Sequence, residues 1–279
     1  MKISKKDISK LVIDILNEDK ASNDITTNFF VDNKKFAKAT IISKEELIIC
    51  GIDFVIEIFK KNSPDVKIKF KIKDGTKVKK NKKVLVIEGN AKKILSAERS
   101  ALNLLQHLSG ISTLTEKYSR KTKRVKTILL DTRKTIPGLR NFEKYAAVMG
   151  GAKNHRFNLG EKYMIKDNHL NLTKEDVYNK ILKMNKNTKK LVIIECDTLI
   201  QVKKALDCGV KHLLLDNMSL NNIKKAKKII QNKAKIEVSG GVNINNIGKF
   251  LKLGIDYVSV GAITQSAPAV NLSMEIKEI

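Results

Sequence analysis

The chain has 279 residues, 42% of them hydrophobic and 30% charged, so its composition is that of a folded protein with a sizeable core, not a disordered one. No apolar run is long enough to span a bilayer, and acidic residues interrupt any signal-peptide core in MKISKKDISKLVIDILNEDK, so a soluble cytoplasmic protein with no membrane partner is expected. The net charge of +26 invites a nucleic-acid reading, but the basic residues are spread along the whole chain, aromatics are 5% with no Trp, and no HTH, zinc-finger, RRM or KH signature occurs. A lysine-rich solvated surface is favoured, with no nucleic-acid partner.

In chain order, 7–17 reads as an amphipathic helix, 37–43 as a strand and 54–61 as a helix. Residues 66–72 alternate as a half-buried strand, and 84–88 form another after the KDGTKVKKNKK turn. A long helical stretch covers about 94–121, with Ser109–Gly110 as its expected break. From Thr127 onward short apolar strands alternate with helical stretches: TILLD, YMIK, LVIIE, HLLLD, IEVSGG and YVSVG. Strand ends at 195, 216, 239 and 261 are spaced by 21, 23 and 22 residues, the length of one βα unit, which predicts a parallel α/β barrel or a doubly wound sheet. With no G-x-G-x-x-G after a first strand, the barrel is preferred. The three cysteines, Cys50, Cys196 and Cys208, show neither CxxC spacing nor an even count, so neither disulfides nor a cysteine metal site are expected.

In such barrels the chemistry sits at the carboxyl ends of the strands. There the sequence places Asp131, Arg133, Lys134, Lys166, Glu195, Asp216, Ser239, Gly240 and Gly261. Cations mixed with carboxylates suit an anionic ligand and a divalent metal. Glycines just past the last two strands, in VSGG and VGA, suit a phosphate, because backbone N–H groups can approach it closely. Glu195 and Asp216, one unit apart, could share Mg²⁺ or accept from sugar hydroxyls. His155 precedes Arg156 in the loop KNHRFNLG, and with no zinc spacing in the chain it reads as an anion contact. His107 and His212 read as structural, His212 because it opens a strand far from the site, while His169 stays open. Only six of the 55 basic residues are arginine (Arg99, Arg120, Arg124, Arg133, Arg140 and Arg156), all between 99 and 156. Arginine grips carboxylate or phosphate as a rigid fork. Arg99, Arg133 and Arg156 read as functional, Arg120 and Arg124 as helix surface.

At DTRKTIPGLRNFEKYAAVMGGAKNHRFNLGEKYMIKDNH the sequence closely resembles the quinolinate phosphoribosyltransferase family. ERSALNLLQHLSGISTLT (98–115), LLLDNM (213–218), EVSGG (237–241) and VSVGAITQSAPAVNLSM (258–274) also resemble segments of that family, in the same order. The resemblance implies an N-terminal α/β sandwich over 1–109, to which a tail at 268–279 returns, and an open, incomplete TIM-like parallel α/β barrel over 110–267. It implies a homodimer with a shared site, Arg99 reaching the neighbouring chain. Thr132, Arg133, Lys134, His155, Arg156 and Lys166 would surround the carboxylates of quinolinate and the phosphates. Glu195 and Asp216 would contact the ribose hydroxyls and Mg²⁺. Ser239, Gly240, Gly241, Gly261, Ala262 and Ile263 would hold the 5′-phosphate. The implied reaction joins quinolinate and phosphoribosyl pyrophosphate into nicotinate mononucleotide, pyrophosphate and CO₂ in NAD synthesis, with Lys134, Lys166, Glu195 and Asp216 as its catalytic groups. The competing readings are a non-decarboxylating phosphoribosyltransferase on the same scaffold and a basic nucleic-acid-binding protein.

Overall fold

Helix α1 (Lys5–Glu18) begins where the Ser4 hydroxyl accepts from the Asp7 N–H at 3.1 Å, and it turns Val12 into the core. These coordinates are a computed structural model that describes residues 3–173 and 176–279. Asp24 caps the short α2 (Ile25–Phe30) in the same way, accepting from the Thr27 N–H. Strand β1 (Phe36–Ser43) alternates as a one-sided strand must, with Ala37, Ala39, Ile41 and Ser43 all buried. It is followed by β2 (Leu47–Ile48), α3 (Ile52–Asn62), β3 (Lys67–Lys71), β4 (Lys77–Val78) and β5 (Lys83–Asn90). The final strand, β12 (Leu272–Glu278), returns to pair antiparallel with β1, Met274 opposite Ile41, and completes a sheet of order β12-β1-β5-β3. α3 supplies the core beside it with Phe54, Val55, Ile58 and Phe59.

The long helix α4 is continuous over Ala91–Thr122, so the break expected at Ser109–Gly110 does not occur. Those two residues serve close packing instead. The Ser109 hydroxyl accepts from the Cys50 N–H at 3.0 Å, and a Cβ on Gly110 would collide with the Pro268 carbonyl. The chain divides into two compact units, the described residues of Met1–Glu116, Asn141–Gly151 and Ser266–Ile279 forming one, and Lys117–Arg140 with Ala152–Gln265 the other. The expected division at 109/110 thus falls inside α4. Most of α5 (Arg140–Met149) belongs to the first unit, where the Ala146 carbonyl accepts from the Ser112 hydroxyl at 2.8 Å and Glu143 sits 2.8 Å from His107 Nε2.

The second unit is built on β6 (Ile128–Leu130), β7 (Tyr163–Ile165), β8 (Val192–Cys196), β9 (His212–Asp216), β10 (Lys235–Ser239) and β11 (Tyr257–Ser259). All six are parallel, in the order β6-β11-β10-β9-β8-β7. Among the described residues β6 and β7 do not pair with each other, so the barrel stays open. β6, β8 and β9 are largely runs of Val, Ile and Leu, as expected when helices cover a parallel sheet. The helices after β8, β9 and β10 each bury an aliphatic stripe, such as Ile223, Ala226 and Ile230 in Leu220–Ile230. Among the described residues no helix is long and apolar enough to cross a membrane.

Gly110→Ala should cost about 1–3 kcal/mol, because the added methyl meets backbone rather than a movable side chain. An unchanged urea midpoint would show that α4 gives way more readily than this packing implies.

Candidate active site

Six parallel strands bring six carboxyl ends to one edge of the second unit. A cleft of about 360 Å³ lies there, lined by Thr132, Arg133, Lys134, His155, Arg156, Met164, Lys166, Glu195, Leu214, Asp216, Glu237, Ser239 and Ser259. A larger cavity of about 840 Å³ lies in the first unit, against α1 and α3, but its lining mixes aliphatic residues with exposed lysines and no converging set of polar groups.

The loops that carry the cations are tied down by buried hydrogen bonds. Asp131, fully buried just past β6, accepts from Asn154 Nδ2 at 2.5 Å and from the His155 N–H at 2.8 Å. Since Lys153 also bridges to Leu130, the 153–156 segment lies alongside β6 like a further strand. Arg140 spans two loops, donating from Nε to the Thr135 hydroxyl at 3.2 Å and from Nη1 to the Phe157 carbonyl at 3.2 Å. The Thr264 hydroxyl donates to the Lys134 carbonyl at 2.7 Å. Gly261 lies beside it, and a Cβ there would sit 3.0 Å from Lys134 Cδ, so a side chain would press on the stem of that lysine. Gly240, at φ +84°, has Asn217 packed where a side chain would go, which fixes the turn after β10 against the one after β9.

The electrostatics are those of a site short of anions. Burial, and then the neighbouring Arg133 charge, pull the Arg156 guanidinium below its ordinary range. Among the described residues the buried Arg133 Nε has no hydrogen-bond partner. Lys166 Nζ lies 2.5 Å from Glu195 Oε2, yet burial pushes the Glu195 carboxyl up by more than the lysine restores. Asp216 accepts from Asn217 Nδ2 at 2.7 Å. Among the described residues no three His, Cys, Asp or Glu side chains are grouped to hold a metal, so Glu195 and Asp216 offer a carboxylate pair and not a closed cage.

Of the residues expected from the sequence, Thr132, Arg133, Lys134, His155, Arg156, Lys166, Glu195, Asp216 and Ser239 come together in this cleft. Gly240, Gly241 and Gly261 follow directly at the ends of β10 and β11. Ile263 is fully buried and does not line the cleft. Arg99 is exposed on α4, in the first unit, and does not line the cleft. His155 differs from its expected use as a plain anion contact: its Nδ1 accepts from the Arg156 N–H at 2.7 Å, and its Nε2 faces Glu237 Oε1 at 3.4 Å without hydrogen-bond alignment. His212, expected to be structural, reaches the same carboxylate, 2.7 Å from Oε2. Glu237 and Ser259 were missed as site residues; the signal was there in IEVSGG, where one carboxylate interrupts an otherwise apolar strand.

Glu237 is completely buried, and burial alone would raise its carboxyl. The neighbouring His155 and His212 outweigh that and hold it at about 2.

The chain matches two family models: quinolinate phosphoribosyl transferase, N-terminal domain, over residues 24–109, and the C-terminal domain of the same family over 111–275. It is 37% identical over 276 residues to a probable carboxylating nicotinate-nucleotide pyrophosphorylase of Methanocaldococcus jannaschii, covering 96% of each chain. A protein of the same description from Bacillus subtilis is 32% identical, with 96% of this chain and 93% of that one covered. Among solved structures, the nicotinate-nucleotide pyrophosphorylase of Francisella tularensis superposes with a TM-score of 0.93 at 37% identity, covering 99% of this chain and 98% of that one.

Because the Glu237 carboxyl is held at about 2, below its ordinary 4.5, its stabilising effect is present above pH 4.5 and lost as pH falls toward 2. Unfolding free energy measured over that window should drop for the native chain and drop less for Glu237→Gln. Parallel curves would place the acid sensitivity elsewhere.

Proposed function

The chain belongs to the quinolinate phosphoribosyltransferase family, and from that premise we propose how its barrel carries the decarboxylating transfer. The enzyme joins quinolinate to phosphoribosyl pyrophosphate, giving nicotinate mononucleotide, pyrophosphate and CO₂ in NAD synthesis. The observation that carries the assignment of the site is the crowding of Arg133 against Arg156, one with an unpartnered buried Nε and the other depressed by its neighbour's charge. Two guanidinium forks held this close fit a small dicarboxylate, each fork taking one carboxylate.

The leaving group is pyrophosphate, whose charge grows as the C1–O bond breaks. Lys134 and Lys166 neutralise that charge. In the free enzyme Lys166 is occupied by Glu195 at 2.5 Å. A pyrophosphate anion competes for the ammonium and frees Glu195 to face the ribose. There Glu195 and Asp216 stabilise the oxocarbenium-like ribose and accept from its hydroxyls. The pyridine nitrogen attacks C1 with its lone pair, so no base is needed to activate it. The cationic ring nitrogen then draws in the electron pair released as the adjacent carboxylate leaves as CO₂, and the vacated carbon is protonated. Ser239 and the backbone of Gly240, Gly241, Gly261, Ala262 and Ile263 hold the 5′-phosphate.

A Mg²⁺ ion fits the donor set at Glu195 and Asp216: two carboxylates, with the remaining positions left to phosphate oxygens and water, is how Mg²⁺ is usually held beside phosphates. When bound it would neutralise pyrophosphate charge. The exposed Ile25, Phe29 and Phe30 of α2 support a homodimer, in which Arg99 of each copy completes the other copy's cleft.

Arg133→Ala and Lys166→Ala should each lower kcat/KM by roughly 10²–10³-fold with an unchanged fold. The assay is release of CO₂ from quinolinate labelled in its 2-carboxylate, run beside nicotinate. Near-normal turnover in either variant breaks the site assignment, and nucleotide formed only from nicotinate overturns the substrate. Mixing the inactive Arg99→Ala and Lys166→Ala proteins should restore part of the activity; no restoration would mean that each site is built from one chain.

A further inference from the structure

Under the cleft lies a carboxylate that the transfer chemistry leaves unassigned. Glu237, at the middle of β10, is fully buried, and its partners are the Ser259 hydroxyl, His155 and His212. A buried carboxylate needs a compensating positive charge. Its ion-pair partners among the described residues are the two histidines alone. Lys235, the register partner of His212, already has its ammonium 2.7 Å from Asp256.

Which imidazole carries the charge follows from the hydrogen bonds. His155 Nδ1 accepts from the Arg156 N–H at 2.7 Å, so that nitrogen is bare and the ring's single proton sits on Nε2. His155 is therefore neutral, consistent with the loose 3.4 Å approach of Nε2 to Glu237. His212 meets the other oxygen at 2.7 Å, a separation typical of a charge-assisted bond, and its ring stacks on Tyr257 at 5.2 Å. No group within the described residues accepts from or donates to His212 Nδ1, which leaves that nitrogen able to hold the second proton.

We infer that Glu237 and His212 are positioning residues for the dicarboxylate pocket: His212 carries the imidazolium charge that neutralises Glu237, and Glu237 holds His155 as its neutral Nε2–H tautomer at the cleft floor. This rests on the reading of the cleft as the quinolinate site. The arrangement fixes the His155 ring in the wall of the cleft, with its Nε2 buried against Glu237. It also keeps the carboxylate beneath from repelling an incoming anion. The cationic side chains of the pocket are then the arginines and lysines, and the histidine beside them orients the acid without adding charge.

The chain has four histidines, His107, His155, His169 and His212, so ring-¹⁵N labelling and long-range ¹H–¹⁵N NMR resolve each one, assigned by single His→Gln variants. At pH 7.5 the unaltered protein should show His155 protonated on Nε2 alone and His212 on both nitrogens. A doubly protonated or Nδ1–H His155, or a neutral His212, overturns the inference. In kinetics, His212→Gln and Glu237→Gln should raise KM for quinolinate about tenfold or more and leave KM for phosphoribosyl pyrophosphate within about twofold. Equal rises for both substrates, or none, also overturn it. If Glu237→Gln does not fold, His212→Gln and the NMR of the unaltered protein decide. The unaltered enzyme is the control for the reaction itself: if it releases no CO₂ from quinolinate, the functional reading fails, while the NMR still judges the histidine assignment.

Discussion

Everything in the second unit is arranged around a cost that folding must meet, namely the gathering of like charges. Arg133 and Arg156 are brought close enough for the charge of one to act on the other, and Arg156 is almost completely buried. In isolation such a pair would move apart. It stays because the backbone that carries each arginine is clamped by groups outside the cleft lining: Asp131 on the His155 loop and Arg140 across the 135 and 157 loops. Binding energy from a dianion is therefore not spent on assembling the site. The same logic covers the Lys166–Glu195 pair, where an internal salt bridge holds both groups at the strand ends, as the proposed mechanism needs.

The parallel sheet makes this clamping possible. Six parallel strands, most of their residues buried, give a firm floor, and residues far apart in sequence at the strand ends are placed within one cleft. This is why so much was readable in advance. Strand spacing of 21–23 residues located the βα units, and the charged residues at their ends then fell into one cleft by topology alone. The helix break at Ser109–Gly110 was misread because glycine has two uses. It ends helices, and it also lets a backbone approach a helix closely; the carbonyl of Pro268, more than 150 residues away in sequence, decides between them. No local pattern carries that information. Glu237 escaped for a related reason: a carboxylate within an apolar strand has meaning only once the histidines of the neighbouring loop and strand are known.

The use of arginine resolves along the same lines. The chain employs lysine for 49 of its 55 basic residues, so the positions that keep arginine show where a point charge does not suffice. Arg133 and Arg156 offer planar forks to the cleft, and Arg156 also donates from Nη1 to the Lys162 carbonyl at 3.1 Å. Arg140 uses its fork on the protein itself, joining a hydroxyl and a carbonyl from two loops that a single ammonium would hold with less directional control. Arg120 and Arg124 lie away from the cleft, lining a surface hollow with Lys117, Lys121 and Ile244. Lysine, in turn, is kept where charge must follow a moving group. Lys134 and Lys166 reach over the strand ends on flexible stems, and a leaving pyrophosphate changes both its charge and its place as the bond breaks. A rigid fork suits the carboxylates that stay to be recognised, and a mobile ammonium suits the phosphates that depart.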